Sequence, residues 1–439
     1  MNVKAVLNKL HIESLNDMQK NVYECAHNTS KDIVVLSPTG TGKTLAYMLP
    51  LMELINGNDN HIQAIVVVPG RELALQSNNV LKEMRSEIRS LCCYGGRAAM
   101  DEHKALRKTC PHIVFGTPGR LNDHLDKENI LSSNVRYLVI DEFDKCLQMG
   151  FFDEMSELIN KLPNIKRTIL LSATDTEQIP GFIDLKNAER LDYLDSAHSI
   201  SNRIRQYKIY SNTRDKLDTL NALLCSFGNN SSIVFLNYRD SVERTANYLK
   251  EKGFSVSYYH GGLDQKAREI ALYKFRNGSA NVLVSTDLAS RGLDIPEVDN
   301  IIHYHMPLTS EDYTHRVGRT ARWYGQGSTY FLLAPDEDMP GFIDTDVADI
   351  ELTPTIKHPE LSKMVTLYIG KGKKDKLSKG DIVGFLCKIG GLNSQEIGLI
   401  DVMERYTYVA IPRNKAKQVL QQTSGEKIKG IRTIVELIK

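Results

Sequence analysis

A chain of 439 residues with 41% hydrophobic and 25% charged residues is too long for one ordinary core and too apolar for a disordered or collagen-like chain. Seven scattered cysteines without a C-x-x-C pair argue against a disulfide framework or a zinc site and for reduced thiols. The net charge of +1 is unevenly divided: residues 363–439 hold fifteen Lys and Arg against seven Asp and Glu, a net of +8, while the first 362 residues carry −7. Such a basic module either meets an anion, nucleic acid first among candidates, or is a solvated basic face.

The chain opens on MNVKAVLNKLHIESLND, charged throughout and without an apolar core, so secretion is not expected. No run approaches the roughly 18 apolar residues of a membrane span, and a cytoplasmic protein without a membrane partner is the expectation. Short β-branched runs then recur: DIVVLS (Asp32–Ser37), AIVVVP (Ala64–Pro69), HIVFGT (His112–Thr117), RYLVID (Arg136–Asp141) and TILLSAT (Thr168–Thr174). Near-continuous apolar strands with helix-length connections predict a parallel sheet covered on both faces, here over residues 1–197. After a polar stretch at Ser196–Asn202 the rhythm restarts. SIVFLN (Ser232–Asn237), SVSYYH (Ser255–His260), VLVSTD (Val282–Asp287), NIIHYH (Asn300–His305) and STYFLLA (Ser328–Ala334) predict a second α/β domain over 198–357. A polar link at Thr353–Lys363 leads to a third unit, residues 363–439. Its runs MVTLYIG, DIVGFLCKI, IGLIDVM, YTYVAIP and TIVELIK, with NKAKQVLQQT as a helix, fall in a strand–helix–strand–strand–helix–strand order, which is the α+β RRM pattern.

Between the first apolar run and a helical pattern lies Ser37-Pro38-Thr39-Gly40-Thr41-Gly42-Lys43-Thr44. This is a P-loop, with Ser37 where the general signature begins on glycine. Backbone N–H groups from Thr39 to Thr44 would cradle phosphates, Lys43 would place charge at the β/γ-phosphates, and the Thr44 hydroxyl would ligate Mg²⁺. The run Tyr137–Ile140 ends in Asp141-Glu142-Phe143-Asp144. Asp141 there can hold Mg²⁺, partly through water, and Glu142 can orient or deprotonate the attacking water. In the second domain His315-Arg316-Val317-Gly318-Arg319-Thr320-Ala321-Arg322 offers arginines at i, i+3 and i+6 with no acid between them. On a helix that spacing lines them along one side, as a phosphoryl-transfer transition state would require of an arginine finger.

The set SPTGTGKT, PGRELA (Pro69–Ala74), Gly95-Gly96, TPGR (Thr117–Arg120), DEFD, SAT (Ser172–Thr174), HGG with Gln265 and Arg268, TDLASRGLD (Thr286–Asp294) and HRVGRTAR occurs in that order. It resembles the DEAD-box ATP-dependent RNA helicases across both α/β domains. The resemblance implies two tandem RecA-like parallel-sheet domains that bind ATP and RNA. It also implies site residues. Gln19 would read adenine, Asp287 and Gly292 would complete the γ-phosphate side, and Arg319 and Arg322 would be the arginine fingers. Ser172 and Thr174 would couple hydrolysis to strand separation. Arg71, Gly96, Thr117, Arg120, Gln265, Arg268 and Thr286 would contact the RNA backbone or support those contacts. Three positions depart from the family pattern: Phe143 replaces Ala in DEAD, Gly70 replaces the usual Thr, and no aromatic precedes Gln19.

The basic unit contains Leu367-Tyr368-Ile369, which resembles the RNP2 element, and Tyr406–Ile411, a partial RNP1 with Glu404 and Arg405 at its basic and glycine positions. Its tyrosines either stack bases or fill strand faces. GKGKKDKLSKGDIVGFL, EIGLIDV, YVAIP and EKIKGIR resemble the C-terminal domain of the DbpA-like bacterial ribosomal-RNA helicases. That implies anchoring to 23S-type ribosomal RNA in a large-subunit precursor, as part of ribosome biogenesis. Lys371, Lys373, Lys374, Lys376, Lys379 and Arg413 are the candidate phosphate contacts by charge. The expectation is therefore a monomeric ATP- and Mg²⁺-dependent RNA helicase that opens RNA duplexes locally. Phe143 beside the acids motivates a second reading, an ATP-gated RNA clamp with low turnover. A DNA translocase would share the P-loop but not the RRM-like unit.

Overall fold

The computed structural model describes the chain apart from residues 1–2, 11, 39, 85, 97–98, 176–178, 186, 195–203, 291–294, 321–326, 344–346, 353–357 and 439. By its internal contacts the chain divides into two compact units, the first spanning Met1–Arg203 and the second holding most of the remainder, including the basic C-terminal residues.

The first unit is a seven-stranded, wholly parallel sheet: β1 (Ile33–Leu36), β2 (Ala64–Val67), β3 (Ser90–Cys93), β4 (Ile113–Gly116), β5 (Tyr137–Ile140), β6 (Arg167–Ser172) and β7 (Glu189–Asp192). The spatial order is β3-β4-β2-β5-β6-β1-β7. Its helices are α1 (Val3–Lys9), α2 (Asp17–Asn28), α3 (Lys43–Leu54), α4 (Arg71–Glu83), α5 (Ala99–Thr109), α6 (Pro118–Asp126), α7 (Phe143–Gln148) and α8 (Phe152–Asn160). Both faces of the sheet are dry. Ile33, Val35, Val66, Phe115, Val139 and Leu171 join one apolar cluster with Val22, Tyr47 and Leu73. Their neighbours Val34, Leu36, Val67, Val114, Ile140 and Leu170 join a second with Leu106, Leu121, Phe143 and Leu158. Alternation along each strand sends successive side chains to opposite layers, and burial on both faces is why the central runs are apolar at successive residues.

The second unit repeats the plan with β8 (Ile204–Tyr210), β9 (Ser232–Phe235), β10 (Val256–Tyr259), β11 (Val282–Ser285), β12 (Asn300–His303), β13 (Gly327–Leu333) and β14 (Ala348–Asp349), ordered β10-β11-β9-β12-β13-β8-β14 and again parallel. Its helices are α9 (Leu217–Phe227), α10 (Arg239–Glu251), α11 (Gln265–Arg276) and α12 (Ser310–Val317). In these two parallel sheets four described strands go beyond the runs read from sequence: β3, β7, β8 and β14. Three of them are sheet edges, and β8 carries the half-exposed polar series IRQYKIY.

The C-terminal residues build a four-stranded antiparallel sheet from β15 (Met364–Ile369), β16 (Ile400–Val402), β17 (Thr407–Pro412) and β20 (Val435–Leu437), with α13 (Lys379–Lys388) after β15 and α14 (Ala416–Thr423) after β17. A short hairpin, β18 (Lys427–Ile428) and β19 (Ile431–Arg432), precedes β20. Leu367, Ile369, Val409, Ile411 and Val402 on one face pack with Ile382, Phe385, Leu386 and Val419 of the helices. The opposite face carries Thr366, Tyr368, Tyr408 and Asp401 and meets α11. Tyr273 of α11 lies 5.2 Å from the Tyr408 ring and donates to the Leu399 carbonyl at 2.6 Å. Asn277 donates to Thr366 Oγ1 (2.8 Å), and Tyr406 donates to Glu269 (3.3 Å). Tyr408 is fully buried. Of the two readings left open for these tyrosines, the structure favours the packed one: α11 already occupies the sheet face where bases would stack.

Candidate functional site

Parallel sheets place their functional loops at the carboxyl ends of the strands. In the first unit β5, β6 and β1 are consecutive neighbours, so the P-loop, the acidic DEFD segment and the SAT segment emerge side by side although they are far apart in sequence. The P-loop turns through Gly40 (φ 83°) and Gly42 (φ 84°), left-handed conformations that favour glycine, and α3 begins at Lys43. Ser37, the departure from the general signature, is buried and its hydroxyl lies 2.7 Å from Thr41 Oγ1, closing the loop. Lys43 is 7% exposed and donates from Nζ to the Ser37 carbonyl at 2.8 Å. Gln19, at the start of α2, forms a reciprocal capping box with Asn16, and its Nε2 donates to the Gly42 carbonyl (3.2 Å). Asn16 donates to the Thr41 carbonyl (2.9 Å), so two side chains of this segment hold the P-loop. Thr39 lies outside the described residues.

Asp141 and Glu142 end β5, both buried. Burial, and then the charge of Glu142, push the Asp141 carboxyl up to about 7, while Lys43 pulls it back down. A divalent cation would offset the desolvated carboxylate and its repulsion from Glu142, so the Asp141 carboxylate with the Thr44 hydroxyl is a donor set of the hard-oxygen kind Mg²⁺ takes. Glu142 sits at φ 50°, a left-handed turn that starts α7. Phe143 turns into the apolar cluster beneath the sheet and is fully buried. Asp144, which the reading of sequence left without a role, accepts from the Ala173 N–H (3.2 Å) and from Thr174 Oγ1 (3.1 Å). Ser172 donates to the Thr174 carbonyl (2.7 Å), so the acidic segment and the SAT segment form one hydrogen-bonded group.

The other half of the same sheet edge, β3-β4-β2, carries the segments assigned to RNA. Arg71 begins α4, and its guanidinium lies where a Cβ on Gly96 would come within 2.6 Å of Nη1. Gly96 is at φ 90°, so both the turn and the close approach call for glycine there. Thr117 is the N-cap residue of α6 and Arg120 lies in its first turn, paired with Glu102 at 3.1 Å.

In the second unit Thr286 ends β11 beside Tyr259, its N–H donating to the Tyr259 carbonyl (3.3 Å). Gln265 donates to Glu269 (3.0 Å). Arg268 is buried and donates to the carbonyls of Leu263 (3.1 Å) and Gly261 (2.7 Å), which makes it a support of the HGG turn. The arginine series differs from its helical reading. The helix α12 stops at Val317, so only Arg316 lies on it, and Arg319 follows in the turn beyond. Arg316 is fully buried, not presented to a ligand: it donates to Asp287 (2.5 and 3.0 Å), to Asn237 Oδ1 (2.8 Å) and to the His305 carbonyl (2.7 Å). An acid does pair with the series, supplied by the segment after β11. Arg319 is 5% exposed. Gly292 and Arg322 lie outside the described residues.

In the basic C-terminal sheet, Lys371 pairs with Asp375 (3.2 Å), while Lys373, Lys374 and Lys376 lie exposed on the loop between β15 and α13. That loop is pinned to the β16–β17 turn by the N–H groups of Lys373 and Lys374, which donate to Met403 and Glu404 carbonyls (2.8 and 2.9 Å). A Cβ on Gly372 would lie 2.2 Å from the Met403 carbonyl oxygen, so no larger residue fits this approach. Arg405 is exposed at the same end. Arg413 departs from its reading as a phosphate contact: it donates to the Ser362 carbonyl (2.5 Å) and hydroxyl (2.5 Å) and to Ser255 Oγ (3.2 Å), stapling β17 to the α/β sheet. Among the described residues no helix is long and apolar enough to cross a membrane.

Comparison with known proteins matches three segments of the chain. Residues 16–180 match the DEAD/DEAH box helicase family, 215–324 the helicase conserved C-terminal domain, and 366–437 the DbpA RNA binding domain. The chain is 35% identical to the ATP-dependent RNA helicase DbpA of Escherichia coli over 421 residues, covering 93% of this chain and 91% of that one. It is 32% identical to the Bacillus subtilis protein of the same name over 432 residues, covering 91% and 90%. Among solved structures it is similar to Saccharomyces cerevisiae Dbp5 bound to RNA and ADP BeF3, with a TM-score of 0.69 at 26% identity, covering 79% of this chain and 92% of that one.

Proposed function

This chain belongs to the DEAD-box ATP-dependent RNA helicases of the DbpA-like kind, and on that premise we propose that its target is structured large-subunit ribosomal RNA during ribosome assembly. It is an RNA-dependent ATPase and helicase. The observation that carries the target proposal is the loop Lys371–Lys376, whose exposed lysines are pinned in place in a segment that matches an RNA-binding domain. We assign residues 1–197 and 198–357 to the motor and 363–439 to target recognition, with a monomer as the working form in the cytoplasm.

The site roles are those the family resemblance implies, and the geometry of the described residues supports them. Lys43 would leave the Ser37 carbonyl for the β/γ-phosphates, and the loop amides of Thr39 to Thr44 would hold the phosphate oxygens. Thr44 and Asp141 would hold Mg²⁺, partly through water; the ion supplies neutralisation of phosphate charge. Glu142 would orient and deprotonate the attacking water, Arg319 and Arg322 would stabilise charge on the transferred group, and Asp287 and Gly292 would complete the γ-phosphate side. Gln19 would read adenine, and its bond to the Gly42 carbonyl ties it to the P-loop. Asp144 with Ser172 and Thr174 would pass the nucleotide state to the RNA side, where Arg71, Gly96, Thr117, Arg120, Gln265 and Thr286 contact backbone phosphates and hydroxyls and Arg268 supports the HGG turn. The low-turnover clamp reading drew on Phe143; we favour the helicase reading, which the burial of that side chain in the core supports.

Steady-state ATP hydrolysis of the full chain, with large-subunit ribosomal RNA and with an unrelated structured RNA, tests this. Truncation would bare Tyr273 and Tyr408, so the comparison variant is K373A/K374A/K376A. A strong preference for ribosomal RNA that the triple variant loses is the expected result. Equal stimulation by both RNAs would leave a general helicase, and absence of multiple turnover would return the clamp.

A further inference from the structure

Glu102 is a buried carboxylate to which the mechanism above gives no part. It lies in the first turn of α5, 5% exposed, where the helix N-terminus favours negative charge. One oxygen accepts from the Tyr94 N–H (3.2 Å), the residue before Gly95-Gly96. The other accepts from Arg120 Nη1 (3.1 Å) and lies 2.9 Å from His124 Nε2, one turn further along α6. The side chain of His124 is fully buried, packs edge-on against the His103 ring, and among the described residues makes its hydrogen bond to Glu102 while Nδ1 has no partner. Cys93 Sγ completes a group whose ligand atoms lie within 4.8 Å of one another, a spacing that could suit a metal. Two features oppose that use. The carboxylate already engages the guanidinium, the imidazole and a backbone amide. Burial also pushes the Cys93 thiol well up, away from the thiolate a metal would need.

We infer that Glu102 is the positioning residue of the RNA-binding edge of the first unit, fixing the Arg120 guanidinium and the Gly95-Gly96 turn together. This inference rests on the reading of Arg120 and Gly96 as RNA contacts. One carboxylate ties the end of β3, the start of α5 and the first turns of α6. Arg71 lies over Gly96, so the same turn also sets where that second guanidinium stands. An unpositioned arginine contributes less to binding because its ordering must then be supplied by the RNA.

The test uses the full chain with E102A, E102Q, R120A and E102A/R120A, reading the RNA concentration for half-maximal ATPase, kcat at saturating RNA, KM for ATP, and thermal unfolding. E102A should raise the half-maximal RNA concentration about tenfold with kcat and the ATP KM unchanged. E102Q keeps an acceptor for the Tyr94 amide but not the charge, and should raise it less. The double variant should bind RNA less weakly than the two single effects combined would give, because part of the E102A effect acts through Arg120. A folded E102A with wild-type RNA dependence, or effects of E102A and R120A that simply add, overturns the positioning role. So does a fall in kcat with the RNA dependence unmoved. If E102A fails to fold, an unchanged RNA dependence in E102Q overturns it. If R120A itself leaves RNA dependence unchanged, the reading of Arg120 as an RNA contact fails, and that outcome is distinct from a failure of Glu102 alone.

Discussion

Replacing Arg316 with methionine keeps the length and apolar stem of the side chain and deletes its guanidinium. That group is fully buried over the Phe235 ring and holds Asp287, Asn237 and the His305 carbonyl together. Removing one member of a buried ion pair costs about 3–5 kcal/mol, because the partner stays desolvated without its counter-charge. The Asp287 side chain keeps 26% exposure, so water recovers part of its solvation. The lower end, about 3 kcal/mol, is therefore the figure to expect. At roughly 2–4 °C per kcal/mol for a unit of this size, the second unit should melt roughly 6–12 °C lower. Calorimetry of the full chain without nucleotide reads this directly. R316M/D287N should recover part of the loss, because the stranded carboxylate carries much of the penalty. A single variant within about 2 °C of the parent, or a double variant no better than the single, would refute the claim that Arg316 is a structural tie.

Three further outcomes can be checked. Burial, and then the charge of Lys216, hold the His305 imidazole down to about 4, and Nδ1 accepts from the Asn237 N–H at 3.1 Å. The unfolded chain then binds more protons than the folded one between about pH 6.5 and 4, so stability is full above that window and falls as the pH drops through it; H305Q should flatten this fall in urea unfolding at pH 4–7. G372A should lower stability by about 1–3 kcal/mol and weaken RNA binding, because the added methyl displaces the Met403 carbonyl and the lysine loop with it; parallel melting and RNA titration would show both. Y273F should cost about 1 kcal/mol for the lost bond to the Leu399 carbonyl, and Y273A about 3–5 kcal/mol for the cavity against Tyr408. A second, earlier calorimetric transition in Y273A would mark the C-terminal sheet separating from α11.

Most of the legible strands of the two parallel sheets lie inside a sheet and are buried on both faces, where successive residues are mainly apolar whichever way they point. SLCC, ERLD and AD at the sheet edges, and IRQYKIY beside one, carry polar residues because solvent or a single neighbour meets them, so the pattern that reveals a central strand is missing. The same contrast runs through the site. The P-loop, the DEFD segment and the glycine turns were readable because each condenses a backbone requirement into consecutive residues, as at Gly40, Gly42 and Gly96. Arg316 was misread because its spacing to Arg319 and Arg322 is local, while the acid that neutralises it stands 29 positions earlier.

From its residues alone, the chain determined its two parallel sheets, its small antiparallel sheet, its nucleotide loop and its class of chemistry. These follow from short-range patterns: burial on two faces, left-handed turns at glycine, acids at the end of a strand. Only the tertiary structure decided which charges are free for ligands and which are ties. Glu102 on Arg120, Asp144 on Thr174, Arg316 on Asp287 and Arg413 on Ser255 are all pairings between distant segments. It also decided that α11 covers the tyrosine face of the C-terminal sheet, through a contact 126 residues apart in sequence. A charged or aromatic side chain carries the same letter whether water, a carboxylate or a neighbouring helix meets it. The partner is chosen by strand order, and strand order is a property of the folded sheet.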